Sequence, residues 1–316
     1  MAYGNVNLPC TGIASFCKFP ICTDLNTITQ DVAIYGVPWD EGTGFRPGSR
    51  MGPRAIREFS TRFAFGERGA AARGYWNIES GKRYLAETTF ADCGDLDILY
   101  TKVEETFDKL TGNVNTILDR KAFPVILGGD HSISFPVVRA FERFQPLNIF
   151  HFDAHLDYND DIWGVKLANG NPLKRISELQ FVDRIVQIGM RGIRAREDAF
   201  RDSSDRGNMI ILSSDVRQQG LEAVIDKFPP GGNIYVTIDI DVLEPSVAPG
   251  TGSPCPDGLL YRELKSLLQG VCRCGRVVGV DLVEVNPFVD QTGLTASVAS
   301  MLILEFLSNI CLLYTS

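Results

Sequence analysis

Short runs of β-branched and aliphatic residues alternate along this chain with longer segments whose apolar positions recur at helical spacing. That alternation predicts βαβ units and a mostly parallel sheet, so the fold class is α/β. Strands are expected over residues 31–37, 123–127, 147–152, 184–188, 209–212, 234–240 and 276–283, several of them apolar throughout, as strands covered on both faces must be. Helices are expected over residues 102–120, 135–144, 221–228, 259–272 and 295–313. No internal repeat, low-complexity tract or linker breaks the pattern, so the 316 residues are read as one domain, 1–316.

Composition narrows the function classes. With 44% hydrophobic and 22% charged residues, apolar burial can offset chain entropy over most of the length. A net charge of −8 offers no basic footprint for nucleic acid or an anionic membrane, and mildly favours the approach of a small cationic substrate. Residues 298–313 are apolar, but Glu305 and Asn309 interrupt them and the stretch is short for a membrane span, so a buried terminal helix is expected. The first residues lack the basic and apolar regions of a secretory signal, which makes a cytosolic location the expectation. The eight cysteines are scattered; Cys272 and Cys274 are close, but no second pair or nearby histidine completes a zinc site.

Ligands of open parallel sheets bind beyond the carboxyl ends of the strands, and three such ends here are rich in metal ligands. Gly128-Gly129-Asp130-His131-Ser132 follows one expected strand, Asp153-Ala154-His155-Leu156-Asp157 a second, and Asp239-Ile240-Asp241 closes a third. In an extended chain, residues two apart face the same side, so Asp153, His155 and Asp157 are expected to converge, as are Asp239 and Asp241. With His131 they make two imidazoles and four carboxylates, too much negative charge to bury without cations. Two divalent metals held by mixed nitrogen and oxygen ligands answer that requirement, and manganese, nickel, zinc or iron suit such ligands better than calcium. His151, the remaining histidine, is read as either a partner of a ligand or a core residue.

These three motifs, in this order and with the third reading Thr-Ile-Asp-Ile-Asp-Val-Leu-Glu-Pro, resemble the ureohydrolase superfamily of arginases, agmatinases and guanidinobutyrases. Thr11-Gly12-Ile13-Ala14-Ser15-Phe16, Gly36-Val37-Pro38-Trp39-Asp40, Arg46-Pro47-Gly48, Gly52-Pro53-Arg54, Ala248-Pro249-Gly250-Thr251-Gly252 and Val283-Glu284-Val285-Asn286-Pro287 resemble its agmatinase and guanidinobutyrase branch. The resemblance implies a three-layer α/β/α sandwich of arginase type, assembled as a trimer or hexamer. It also implies two divalent metal ions per subunit, Mn2+ or Ni2+, on His131, Asp153, His155, Asp157, Asp239 and Asp241. By the same resemblance Glu284 accepts hydrogen bonds from a substrate guanidinium, and Asp157 relays a proton to the leaving amine.

One position departs from the resemblance. Where relatives place a His-Gly pair, this chain reads Asn169-Gly170, and an amide cannot exchange a proton near neutral pH. Asn169 is therefore read as a substrate contact, catalytic by position. In the loop Tyr158-Asn159-Asp160-Asp161-Ile162-Trp163-Gly164, two acids disfavour a substrate carboxylate and Trp163 offers a ring to cover a cation. The expected activity is hydrolysis of a C–N bond in an agmatine-like amine, guanidine, a substituted guanidine or a biguanide, releasing urea or a substituted urea with an amine or ammonia. The competing reading is a weakly active metal-binding subunit that supports a catalytic homologue; a single-zinc deacetylase needs fewer ligands than are present. Arg46, Arg50 and Arg54 are read as an interface anchor, buried ion pairs or surface charge.

Overall fold

A computed structural model describes residues 8–64 and 74–314. Ten strands are present among them: β1 Val32–Gly36, β2 Tyr75–Asn77, β3 Lys82–Tyr84, β4 Phe90–Asp95, β5 Phe123–Leu127, β6 Leu147–Phe152, β7 Val182–Met190, β8 Met209–Leu212, β9 Asn233–Asp239 and β10 Arg276–Val283. Eight form one parallel sheet in the order β4-β1-β5-β10-β9-β6-β7-β8, and β2 and β3 make a separate antiparallel hairpin. The helices are α1 Gly52–Ser60, α2 Val103–Asp119, α3 Ser134–Val138, α4 Pro172–Ser177, α5 Glu197–Asp205, α6 Ser213–Gln219, α7 Leu221–Ile225, α8 Tyr261–Cys274 and α9 Leu294–Tyr314.

Alternation along each strand divides the core in two, which is what a three-layer sandwich requires. Val32, Ile34, Phe150, Phe152, Val236 and Ile238 face one apolar layer with α1, α8 and α9. Ala33, Tyr35, Ile149 and Tyr235 face the other, with α2, α3 and α4. Both faces of the central strands are therefore buried and mostly apolar, with a few buried polar residues such as His151, Thr237 and Asp281 set among them.

Several expected boundaries move. The expected 135–144 helix is α3 followed by a 3₁₀ stretch Arg139–Phe144, and the expected 259–272 helix begins only at Tyr261, because Leu259 bridges Leu243 and Leu260 is extended. Helix α9 is largely buried through Ile310, packed against α1 and α8, and Glu305 on it pairs with Lys265; no helix among the described residues is long and apolar enough to cross a membrane. Two of the roles read for the arginines are seen: Arg50 pairs with buried Asp40 and Arg54 is exposed, while the Arg46 carbonyl accepts a bond from Asn286.

Strand order explains where the site lies. β5, β10, β9 and β6 are neighbours in the middle of the sheet, in near register, with Leu127 opposite Leu282, Val283 opposite Asp239 and Ile238 opposite Phe152. Their carboxyl ends bring together His131, Glu284, Asp239 with Asp241, and the 153–157 loop, although these residues are up to 153 positions apart.

Candidate metal centre

The turn after β5 needs both of its glycines. A Cβ on Gly129 would overlap the Trp39 carbonyl and one on Gly128 would strike Val283, so the backbone passes between β1 and β10 only without side chains. Glu284 N–H donates to the Gly129 carbonyl at 2.8 Å, and His131 N–H donates to Glu284 Oε1 at 3.0 Å. The same turn thus fixes His131 and Glu284 together.

One local device recurs at the three motifs. Asp130, Asp153 and Asp239 each accept, through Oδ1, the backbone N–H two residues on: Ser132 at 2.9 Å, His155 at 2.6 Å and Asp241 at 2.8 Å. In Asp153 and Asp239 this leaves Oδ2 to face inward. The expected extended alternation over 153–157 is therefore corrected. The chain bends after β6, and Asp157 joins the site through a left-handed backbone at φ 47°.

Around His131 Nδ1 stand Asp153 Oδ2 at 3.0 Å, Asp157 Oδ2 at 3.1 Å and Asp239 Oδ2 at 3.5 Å. None is aligned as a hydrogen bond to that nitrogen, which is fully buried. The opposite ring nitrogen explains the arrangement: Thr237 Oγ1 donates to Asp281 at 2.6 Å, so its oxygen accepts from His131 Nε2–H at 2.9 Å. In the neutral ring Nδ1 is then a lone pair facing three carboxylate oxygens, a contact that only a proton or a cation can make favourable. A second group lies alongside, with His155 Nδ1 at 3.1 Å from Asp241 Oδ2 and 3.4 Å from Asp153 Oδ1. Asp153 turns one oxygen to each group.

Charge tells the same story. Among the described residues no Lys or Arg lies within ion-pair distance of Asp153, Asp157, Asp239, Asp241 or Glu284. Burial, with the charges of Asp241 and Asp153, holds Asp239 well above the usual carboxylate range. Burial likewise raises Glu284 to about 8, with Asp130 adding to it. Burial works against charge on the rings, but the carboxylates outweigh it, raising His131 well above its ordinary value and His155 to about 12. In the protein alone, then, protons neutralise part of this charge. The donor set of two imidazoles and four carboxylates fits divalent cations in their place.

His151 stands beside the first group, with a ring nitrogen within 4.8 Å of the ligand atoms of His131 and Asp153. Its Nε2 lies 2.8 Å from Asp153 Oδ2 and its Nδ1 3.2 Å from Gln187 Nε2, so it braces a ligand, one of the two roles read for it. Sequence reasoning overlooked Gln187 and Thr237; the signal was a polar residue in the middle of an otherwise apolar buried strand.

Above the ligands is an inner cavity of about 250 Å3, with Asp157, Asp239, Asp241 and Glu284 on its floor and Phe200, Ile210 and Met190 in its walls. Asn169 lines it and donates through Nδ2 to Glu284 Oε1 at 3.2 Å. An outer cavity of about 920 Å3 adjoins it. Trp163 lines only the outer cavity, 98% exposed, so its ring does not cover the inner site. The loop acids are also committed elsewhere: Asp160 pairs with Arg175, and Asp161 accepts the Gly164 N–H at 2.6 Å.

The Arginase family model matches residues 30–308. The chain belongs to the arginase family. It is 33% identical over 302 residues to the mitochondrial guanidino acid hydrolase of Homo sapiens, covering 94% of this chain and 82% of that protein. It is 34% identical over 283 residues to the agmatinase of Bacillus subtilis, 88% and 91% of the two chains. The crystal structure of proclavaminate amidinohydrolase from Streptomyces clavuligerus superposes with a TM-score of 0.85 at 30% identity, covering 96% of this chain and 98% of that one. These relatives are all named as enzymes, and the alternative of a supporting subunit finds no support among them. Arginase-family membership makes this chain a hydrolase of the ureohydrolase kind, acting on C–N bonds.

Proposed function

We propose that this enzyme hydrolyses a C–N bond of a small guanidino compound, releasing urea or a substituted urea and an amine, at a centre built for two divalent cations, manganese or nickel. The observation that carries the reading is the buried His131 Nδ1 facing Asp153, Asp157 and Asp239 beneath a cavity. His131, Asp153, Asp157 and Asp239 would hold one cation, and His155, Asp241 and Asp153 the other. Bound there, the cations neutralise the carboxylates and lower the pKa of water from about 15.7 towards 7.

The protein's own groups supply the rest. Glu284, on the cavity floor, receives the planar guanidinium, and that pairing with a carboxylate is both strong and orienting. The substrate's charge also favours the ionised form of Glu284, which burial alone disfavours. Asn169 holds Glu284 Oε1 from one side while the His131 N–H holds it from another, so the carboxylate is fixed before substrate arrives. Asp157 is the most exposed of the ligand carboxylates, its side chain 13% accessible against 0% for Asp153 and 2% for Asp241. It is thus positioned to take a proton from attacking water and pass it to the departing nitrogen. The test is urea release by the chain loaded with manganese or nickel, across guanidine, methylated guanidines, agmatine, 4-guanidinobutyrate and biguanides. Turnover that vanishes in Asp153→Ala and Glu284→Ala supports the reading; no release from any of them overturns it.

A further inference from the structure

Ile162, Asn169, Arg194 and Ser253 line both the inner and the outer cavity, so they stand at the passage between them. Whatever projects from a guanidinium seated on Glu284 must pass these residues. Three arginines line the inner cavity, and two are already committed. Arg191 spends its guanidinium on backbone carbonyls, with Asp241 at 2.6 Å and Cys255 at 2.8 Å. Arg196 grips Asp198 at 3.0 Å and 2.5 Å. Arg194 differs: it donates to Ser253 Oγ at 3.1 Å, and no carboxylate lies within ion-pair distance of it among the described residues. The Asp160 and Asp161 side chains of the facing loop are engaged by Arg175 and Gly164.

We infer that Arg194, held by Ser253, recognises a carboxylate at the far end of the substrate, which makes the preferred substrate a guanidino acid rather than a guanidino amine. The inference rests on the proposed function and reverses the polarity expected from the loop acids. A guanidinium fork matches a carboxylate with two parallel hydrogen bonds and repels a terminal ammonium. The apolar side chains of Phe200, Ile210 and Met190 suit the methylenes between the two ends. Head and tail charges are then recognised by groups of opposite sign at opposite ends of one cavity, Glu284 at its floor and Arg194 at its mouth.

The experiment uses the manganese-loaded full chain and two ligands of similar length, 4-guanidinobutyrate and agmatine. Binding is followed by calorimetry and turnover by urea release, for the unaltered chain, Arg194→Ala, Arg194→Glu and, as a control, Arg196→Ala. The unaltered chain is expected to favour the acid. Arg194→Ala should lower kcat/KM for the acid at least tenfold, chiefly through KM, and leave agmatine unchanged or improved. Arg194→Glu should invert the preference, and Arg196→Ala should leave the ratio unmoved. Turnover of agmatine in preference to the acid, or a ratio indifferent to Arg194→Ala, overturns this inference while the hydrolase reading stands. Arg194-dependent binding of the acid without turnover upholds the recognition of the carboxylate, and only silence across the whole set of guanidino compounds named above overturns the hydrolase reading; absence of binding of the acid overturns this inference alone.

Discussion

Gln187 donates from Nε2 to Nδ1 of His151 at 3.2 Å, and the ring's other nitrogen reaches Asp153 at 2.8 Å. The amide cannot be turned over, because its Oε1 accepts from Ser203 at 2.8 Å and its Nε2 also donates to the Leu156 carbonyl at 2.7 Å. His151 is thereby held with its proton on Nε2, aimed at the carboxylate that serves both ligand groups. Gln187→Leu should weaken divalent-metal binding by about 10–100-fold, the usual effect of losing a group that orients a ligand. Titration with manganese followed by calorimetry measures it; unchanged affinity would remove Gln187 from the centre.

Asn169 contributes a hydrogen bond to Glu284 and no titratable proton. Loss of a bond to a charged group costs about 1.5–3 kcal/mol, so Asn169→Ala should lower kcat/KM by roughly 10–100-fold. The shape of the pH–rate profile should be retained. Steady-state rates across pH measure both, and a lost limb in the profile would show that Asn169 governs a proton transfer after all.

Glu284 sits in the left-handed region at φ 63°, and Asp157 at φ 47°. Two acids of one site in a conformation that disfavours L side chains is the pattern of strain kept for function. Glu284→Gly should therefore be more stable than Glu284→Ala by about 1 kcal/mol or more, in contrast to the usual penalty for glycine. Urea denaturation of both variants with chelator present makes the comparison, free of metal occupancy. Equal or reversed stabilities would mean that the backbone is not strained there.

Arg57 ties α1 to β4. Its Nε meets Asp92 at 2.8 Å, a terminal nitrogen meets Asp95 at 2.5 Å, and the other donates to the Gly94 carbonyl at 2.7 Å. Arg57→Ala leaves Asp92 buried without its cation and should cost about 3–5 kcal/mol, read as a lower denaturation midpoint at unchanged slope. A loss under about 1 kcal/mol would show that water or a shifted side chain replaces the guanidinium.

The central strands were legible because burial on both faces leaves an uninterrupted apolar run, as in Phe123–Leu127 and Leu147–Phe152. Strand Phe90–Asp95 was not, because its Phe-Ala-Asp-Cys-Gly-Asp sequence is polar until Arg57 is known to neutralise Asp92. Helices Pro172–Ser177, Glu197–Asp205 and Ser213–Gln219 offer few apolar positions for periodicity to act on, and Gly52–Ser60, although amphipathic, is only 9 residues long. At the site, the residue types and strand ends pointed to the residues that gather there, while their geometry comes from Asx turns and a left-handed Asp157 that alternation does not predict. Asp160 and Asp161 look like free acids in one dimension, whereas in the folded chain Asp160 pairs with Arg175 and Asp161 accepts the Gly164 N–H.

The most direct test of the two-cation centre is the metal content of the chain after loading with manganese and removal of free ion by gel filtration, compared with Asp153→Ala. The account predicts two ions per chain, with occupancy of both positions reduced in the variant because Asp153 faces His131 through one oxygen and His155 through the other. One ion or none in the unaltered chain, or full retention by Asp153→Ala, would contradict it.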